Sequence, residues 1–180
     1  DEIFWIQNTP DAVSVRDSLM KSESESAKVY LDYVKINYGP YDEIYGGERF
    51  VGDGPSIRPL GGNFYPPDMT KSDFEDYVAA NPEVKEDFTS LYTIIRKDGD
   101  GLKSIPYHEA YADKVEKLAS LLEEAASYAD NPSLKNYLNL RAKAIRTDEY
   151  YESDMAWMDL SGNDIDIVIG PIESYADKLL

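Results

Sequence analysis

Strand-forming and ligand-facing residues come together in one stretch near the end of the chain, Met155-Ala-Trp-Met-Asp-Leu-Ser-Gly-Asn-Asp-Ile-Asp-Ile-Val-Ile-Gly-Pro-Ile-Glu-Ser-Tyr175. After a Ser-Gly-Asn turn, acidic and isoleucine residues alternate, which is typical of a half-buried strand. Gly170 and Pro171 end regular pairing, because proline has no amide proton to donate. The pattern predicts a strand and a following ligand-facing segment over 163–175, with Glu173 and Tyr175 just past the end of regular pairing.

The two residues past the strand end have the chemistry to hold a peptide. A carboxylate such as Glu173 can bind a free amino terminus through a charge-assisted hydrogen bond. Tyr175, two residues later, projects to the same side and can bond a substrate carbonyl. From spacing alone, an exposed glutamate and a packing tyrosine explain these two residues better.

Charge and composition exclude several classes of partner. The chain has 180 residues, with 35 acidic and 18 basic side chains and a formal net charge of -17, which repels nucleic acids and anionic membrane surfaces. It has no cysteine, so a disulfide framework and a thiolate zinc site are excluded. No apolar run approaches the roughly 18 residues that span a bilayer. A cytoplasmic location and export after removal of a leader both stay open.

Length and the order of signals predict one domain over residues 1–180. Residues 1–37 are predicted to be helical, and 38–68 form loops rich in glycine and proline. Helices follow over 69–160, interrupted by a hairpin at 91–106 around the turn Asp98-Gly-Asp-Gly101. The first of these helices has a capping-box pattern from Thr70 to Asp73.

Two apolar stripes predict an antiparallel pair of helices between the hairpin and the C-terminal segment. Each stripe recurs at three- and four-residue spacing: Tyr111, Val115, Leu118, Leu122 and Ala125 in one helix, and Leu134, Leu138, Ala142 and Ile145 in the next. The fold class is therefore α+β, mainly helical, with a β-hairpin and a C-terminal strand.

His108 is the only histidine. The chain therefore cannot supply the paired histidines of a common hydrolytic zinc site. The simplest interpretation of His108 is a structural histidine near a helix start that makes local hydrogen bonds. No Ser-His-Asp order, phosphate-binding loop or dinucleotide fingerprint is present.

Four segments, in order, carry a resemblance to a known family. They are 63–70 (Asn-Phe-Tyr-Pro-Pro-Asp-Met-Thr), 105–110 (Ile-Pro-Tyr-His-Glu-Ala), 153–159 (Ser-Asp-Met-Ala-Trp-Met-Asp) and 164–175, which ends in Ile-Glu-Ser-Tyr. Together they resemble the dipeptidyl-peptidase III family of zinc metallopeptidases, in its bacterial and plant branch, where some plant members are fused to a Nudix domain. The likeness covers nearly the whole chain.

The resemblance implies part of the non-zinc lobe of a two-lobed peptidase that releases dipeptides from peptide amino termini. It implies that Glu173 and Tyr175 bind substrate, with Asn63, Tyr65 and Trp157 as weaker candidates. The family's His-Glu-x-x-His type motif is missing, so we expect the zinc, held by two His and a Glu with another Glu as general base, in a C-terminal lobe outside this chain. Alone, the chain is expected to hold no zinc, no catalytic residue and no activity.

Two other functions remain open at this stage. The acidic, tyrosine-rich composition also suits a non-catalytic module that binds peptides or another protein. The Nudix-fused relatives leave room for a hydrolase of the same scaffold with a non-peptide substrate.

Overall fold

The structure is a computed structural model, and it describes residues 1–172 and 177–179. The described chain forms two compact units. Unit 1 contains Asp1–Ser90, Ile94–Ser104 and 177–179, and unit 2 contains Leu91–Thr93 and 105–172. The expectation that all of this acts as one domain stays a prediction.

Helices dominate the described residues, and one two-stranded hairpin interrupts them. In chain order the elements are α1 Glu2–Asn8, α2 Ala12–Lys21, α3 Glu25–Asn37, α4 Lys71–Ala80, a 3-10 turn at Pro82–Val84, α5 Lys85–Phe88, β1 Thr93–Asp98, β2 Gly101–Pro106, α6 Tyr107–Ala110, α7 Ala112–Tyr128, α8 Pro132–Thr147 and α9 Tyr151–Met158. The predicted α+β, mainly helical class with a β-hairpin is confirmed.

The first three helices of unit 1 share one apolar cluster. Trp5, Ala12 and Val34 are buried in it, one from each helix, and Phe50 from the following loop packs against them. The Ser24 hydroxyl starts α3 by accepting a hydrogen bond from the backbone of Ala27 at 3.4 Å. Helix α1 lies within the range 1–37 that was predicted to be helical, although no side chain caps its first turn.

A second cluster of unit 1 forms around α4. Phe74, Phe88 and Ile95 are buried in it together with Tyr65 and Leu179. The predicted capping box begins α4: the Thr70 hydroxyl accepts from the Asp73 backbone, while the Asp73 carboxylate accepts from the Thr70 backbone. The four residues that form this cap are consecutive, so the sequence alone is enough to predict it.

Unit 2 is built on the predicted helix pair, α7 and α8, which pack against each other along their length. Asn131 caps α8 by accepting hydrogen bonds from the backbone of two residues in its first turn. Arg146 joins the two helices through bidentate ion pairs with Glu116 and Glu123, at 2.6 to 3.1 Å. Helix α9 packs against α8.

The predicted C-terminal strand is not present in residues 163–172. The segment has the alternating sequence, yet Ile165 is 66% exposed and Val168 is 50% exposed. A strand needs a neighbouring strand for its ladder of hydrogen bonds, and no part of the described chain provides one here. The alternating residues predicted an extended segment with one apolar face. They could not show whether a neighbouring strand is available to pair with it.

Candidate functional site

Glu173 and Tyr175, the two main predicted substrate-binding residues, lie outside the described residues. The structure describes the residues on both sides of them, up to Ile172 and again from Asp177. The flanks of these two residues and the weaker candidates Asn63, Tyr65 and Trp157 lie within the described residues.

The downstream flank is fixed to unit 1 by three consecutive residues. The Tyr65 hydroxyl donates a hydrogen bond to Asp177 Oδ2 at 2.7 Å, and Asp177 Oδ1 accepts from the backbone of Leu179 at 2.8 Å. The backbone of Lys178 donates to the carbonyl of Leu60 at 2.9 Å. Leu179 is 2% exposed, inside the cluster around α4. Two residues after Tyr175 in the sequence, the chain is thus held by hydrogen bonds and by core packing.

A groove of about 230 Å³ in unit 1 adjoins this flank. Ile57 and Leu60 give it an apolar wall, and Glu43, Arg58 and Lys178 give it charged edges. Glu43 links the two cations, with Arg58 Nε at 3.0 Å and Lys178 Nζ at 3.6 Å.

Tyr65 and Asn63 serve the scaffold of unit 1 in this structure. Tyr65 is 7% exposed and its ring meets Phe74 edge to face, with ring centroids 5.7 Å apart. The Asn63 side-chain amide donates to the carbonyl of Ile6 at 2.7 Å, and Arg96 donates to the Asn63 carbonyl at 2.8 Å. Packing and hydrogen bonds within unit 1 account for these contacts of both residues.

Trp157 lies in unit 2, half-buried on α9. Its indole nitrogen donates to Asp166 Oδ1 at 3.1 Å. This contact ties α9 to the segment that precedes Glu173 in the sequence.

His108 makes a close contact that the sequence did not indicate. Its Nδ1 lies 2.7 Å from Asp148 Oδ2, and the same oxygen accepts from the His108 backbone at 3.1 Å. The predicted partners were local, whereas Asp148 is 40 residues away. Asp148 ends α8 in the left-handed conformation, at φ 59°, and its carboxylate thereby caps the start of α6.

Within residues 1–172 and 177–179, the donor set does not fit a hydrolytic zinc site. Among the residues that the structure describes, no three His, Asp or Glu side chains are grouped to hold a metal ion. The one histidine already places a ring nitrogen against Asp148. No step of a reaction is therefore assigned to a metal bound by these residues.

Sequence reasoning missed Arg141, a buried arginine on α8. Its residue is 4% exposed, and its guanidinium lies over the rings of Tyr137 and Tyr150, 5.5 and 5.4 Å from their centroids. Burial, followed by the charge of Asp148, raises the pKa of the Tyr150 phenol. The sequence did contain a signal for this. Arg141 lies three residues after Leu138, on the apolar face of the helix, so this position predicts a buried side chain.

The architecture is α+β and mainly helical, with one two-stranded hairpin among the described residues. Across the described residues, the four motif segments belong to a fold found in dipeptidyl-peptidase III structures. The predicted resemblance to the dipeptidyl-peptidase III family is confirmed.

Two solved structures and one sequence relative support this statement. Dipeptidyl-peptidase III from Caldithrix abyssi superposes with a TM-score of 0.95 at 45% identity, covering 99% of this chain and 34% of that one. The enzyme from Corallococcus sp. strain EGB gives 0.83 at 30% identity, covering 90% and 30%. Nudix hydrolase 3 of Arabidopsis thaliana is 30% identical over 229 aligned residues, covering 99% of this chain and 30% of that protein. No family model matches.

This chain spans about a third of the length of each of these relatives. In the described part of the chain, no helix is both long and apolar enough to cross a bilayer.

Proposed function

We propose that this chain forms the substrate-cleft part of a dipeptidyl-peptidase III-like zinc metallopeptidase that releases dipeptides from the amino termini of peptides. The observation that carries the proposal is the TM-score of 0.95 with a bacterial dipeptidyl-peptidase III, at 45% identity over 99% of the chain. A shared fold alone does not establish a shared reaction. Sequence identity of 45% over 99% of the chain supports a shared reaction more strongly than the fold does.

In this proposal Glu173 binds the free amino terminus and Tyr175 bonds a carbonyl of the substrate. A carboxylate is the group that an ammonium needs, because a charge-assisted hydrogen bond is about twice as strong as a neutral one. The firm anchoring of Asp177 to Leu179 favours this assignment, since binding groups act best when the adjoining backbone is fixed.

The zinc chemistry would come from polypeptide outside this chain, as the resemblance implies. Bound zinc would supply an activated water and a polarised substrate carbonyl. The residues here would bind and orient the peptide. Accordingly, the 180-residue chain alone should neither hydrolyse peptides nor bind zinc tightly, and stoichiometric submicromolar zinc binding in a calorimetric titration would overturn that division of roles.

The test uses the natural longer protein and short peptides with free or blocked amino termini. Glu173→Ala should raise KM strongly for free peptides and much less for blocked ones, because only the free ones carry the ammonium. Glu152→Ala is a matched control, since Glu152 is an exposed glutamate paired to Lys143 on the surface. It should leave KM unchanged for both kinds of peptide.

Equal effects of Glu173→Ala on free and blocked peptides would contradict the assigned role. A wild-type protein that releases no dipeptides would contradict the proposed reaction. Binding of peptides without hydrolysis would instead support a non-catalytic peptide-binding module.

A second candidate is a hydrolase with a non-peptide substrate. The match to a relative named Nudix hydrolase 3 favours it, because that name describes a different chemistry on a protein that contains the same region. Assaying the longer protein against both a peptide panel and non-peptide hydrolase substrates separates the two: turnover of peptides alone supports the peptidase.

A further inference from the structure

The groove that Lys178 borders carries more positive than negative charge, although the chain as a whole has a formal net charge of -17. Among the residues that line it, Arg58 and Lys178 are cations and Glu43 is the one carboxylate. All three belong to unit 1. An acidic protein repels small anions over most of its surface, so a groove with an excess of cations is a candidate anion site.

Arg58 already balances the charge of Glu43. Its Nε lies 3.0 Å from Glu43 Oε1, and its side chain is buried, so salt in the solvent screens this ion pair little. Arg58 Nη2 also donates to the carbonyl of Asn8 at 3.1 Å, which fixes the guanidinium in the scaffold of unit 1. Because one carboxylate cannot balance two cations, the charge of Lys178 is left uncompensated in the groove.

Lys178 presents its ammonium group from a fixed backbone. Its backbone amide donates to the Leu60 carbonyl at 2.9 Å. Asp177 and Leu179, on either side of it, are anchored to unit 1 by a hydrogen bond and by core packing. The side chain is 55% exposed, and its Nζ lies 3.6 Å from Glu43 Oε2, beyond the roughly 2.7–3.2 Å of a hydrogen bond. The N–H groups of this ammonium can therefore serve a ligand.

An apolar wall lies in the same groove as the ammonium. Ile57 and Leu60 form this wall, and each is more than half exposed. Gly47, which also lines the groove, has both main-chain groups paired, because it donates to the Asp42 carbonyl at 2.8 Å and accepts from the Arg58 backbone at 3.0 Å. The groove thus offers a ligand charge and apolar contact. Its volume of about 230 Å³ is below the roughly 300 Å³ at which pockets for drug-sized molecules begin, so the ligand is small.

We propose that this groove binds a small aliphatic carboxylate. The carboxylate contacts Lys178 Nζ, and the aliphatic group lies against Ile57 and Leu60. A singly charged carboxylate fits better than a phosphate, because only one cation is uncompensated and Glu43 repels any further negative charge. The site is separate from the proposed peptidase function, since binding at Lys178 needs neither Glu173 nor a metal.

The test measures ligand binding to the natural longer protein by saturation-transfer NMR. Two probes share an isobutyl group and a carboxylate: N-acetyl-L-leucine, which resembles the carboxyl terminus of a peptide, and 4-methylpentanoate, a simple acid. For ligands of this size we expect a Kd on the order of 1 mM. N-acetyl-L-leucinamide keeps the apolar group without the charge, so it should bind about fivefold more weakly than N-acetyl-L-leucine.

Two variants should change the Kd in opposite directions. Lys178→Met removes the cation but keeps a long side chain, so the Kd of both acids should rise about fivefold. Glu43→Gln removes the neighbouring negative charge and still gives Arg58 an acceptor, so the Kd should fall about twofold. Lys97→Met is the matched control, because Lys97 is an exposed lysine of unit 1 that pairs with Asp68 at 2.9 Å. It should leave the Kd unchanged.

An unchanged Kd in Lys178→Met would overturn the proposal, and so would equal binding of the acid and the amide. Lys178→Arg keeps the charge and should bind both acids nearly as well as the wild type, so a folded Lys178→Arg protein that has lost binding would also overturn it. Binding of either acid with the expected variant effects supports the site, and the tighter acid identifies the source of the carboxylate. A longer protein that releases no dipeptides would refute the proposed function without changing these binding results.

Discussion

Tyr65 offers a sharp test, because the resemblance suggests a substrate-binding role and the structure shows a structural contact. Its hydroxyl donates to Asp177 Oδ2 at 2.7 Å, while its ring is buried against Phe74. Tyr65→Phe removes the hydroxyl and keeps the ring. The change should therefore lower the free energy of unfolding and release the residues that follow Asp177.

The expected size of the effect follows from the contact. A hydrogen bond to a charged group contributes roughly 1.5–3 kcal/mol, and Asp177 is partly exposed, so we expect about 2 kcal/mol. In a chain of this length each kcal/mol changes the melting temperature by about 2–4 °C, which gives a decrease of about 4–8 °C. If Leu179 also leaves the core, losing its burial adds about 1.5–3 kcal/mol.

Urea unfolding followed by tryptophan fluorescence measures this effect. The chain has two tryptophans, Trp5 in unit 1 and Trp157 in unit 2. In a Trp157→Phe background, Trp5 is the sole reporter and responds to the unit that contains Tyr65. The unfolding midpoint of Tyr65→Phe should fall in this background, with the slope unchanged.

Two comparisons complete the test. Tyr45→Phe is the matched control, because Tyr45 is 79% exposed and loss of its hydroxyl should not change the midpoint. Asp177→Asn combined with Tyr65→Phe gives a double-mutant cycle, which should show a coupling energy of about 1 kcal/mol or more. An unchanged midpoint for Tyr65→Phe, with weaker peptide binding by the longer protein, would refute the structural role and restore the substrate-binding one.

Two further predictions concern helix ends and ion pairs. The hydrogen bonds from Arg146 lower the pKa of Glu116 from 4.5 to about 2, so this carboxylate stabilises the fold above pH 4.5 and the stabilisation is lost as the pH falls toward 2. Glu116→Gln should accordingly flatten the decline of melting temperature over that interval, and an identical decline in the variant would count against it. Thr70→Ala should cost about 1 kcal/mol of unfolding free energy by removing the capping box, whereas Lys71→Ala next to it should cost less, and chemical denaturation distinguishes them.

Features that depend only on neighbouring residues were predicted correctly from the sequence. Features that depend on contacts between distant residues were not. The capping box from Thr70 to Asp73 and the stripes of α7 and α8 are complete within one or two neighbouring elements, so the sequence contains all that they need. Helix α9 has no apolar stripe of its own and folds by packing on α8. The prediction of a strand over 163–172 was wrong because a strand needs a neighbouring strand, and the alternation of residues does not show whether one is present.

The candidate site divides in the same way. Glu173 and Tyr175 came from residue chemistry and family resemblance, and they lie outside the described residues, so their roles stay predictions. The contacts of Tyr65 with Asp177 and of His108 with Asp148 join residues 112 and 40 positions apart. Residue spacing along the chain cannot predict such pairs, because the tertiary fold brings them together.

Leu179 has a consequence for how the chain acquires its structure during synthesis. The cluster around Phe74 and Ile95 includes Leu179, which follows the sequence of unit 2 in the order of synthesis. The α7–α8 pair needs only contacts within about 35 residues, whereas unit 1 must wait for its last apolar side chain. Because α7 and α8 emerge from the ribosome before Leu179, their pair can form before the cluster around Phe74 and Ile95 is complete.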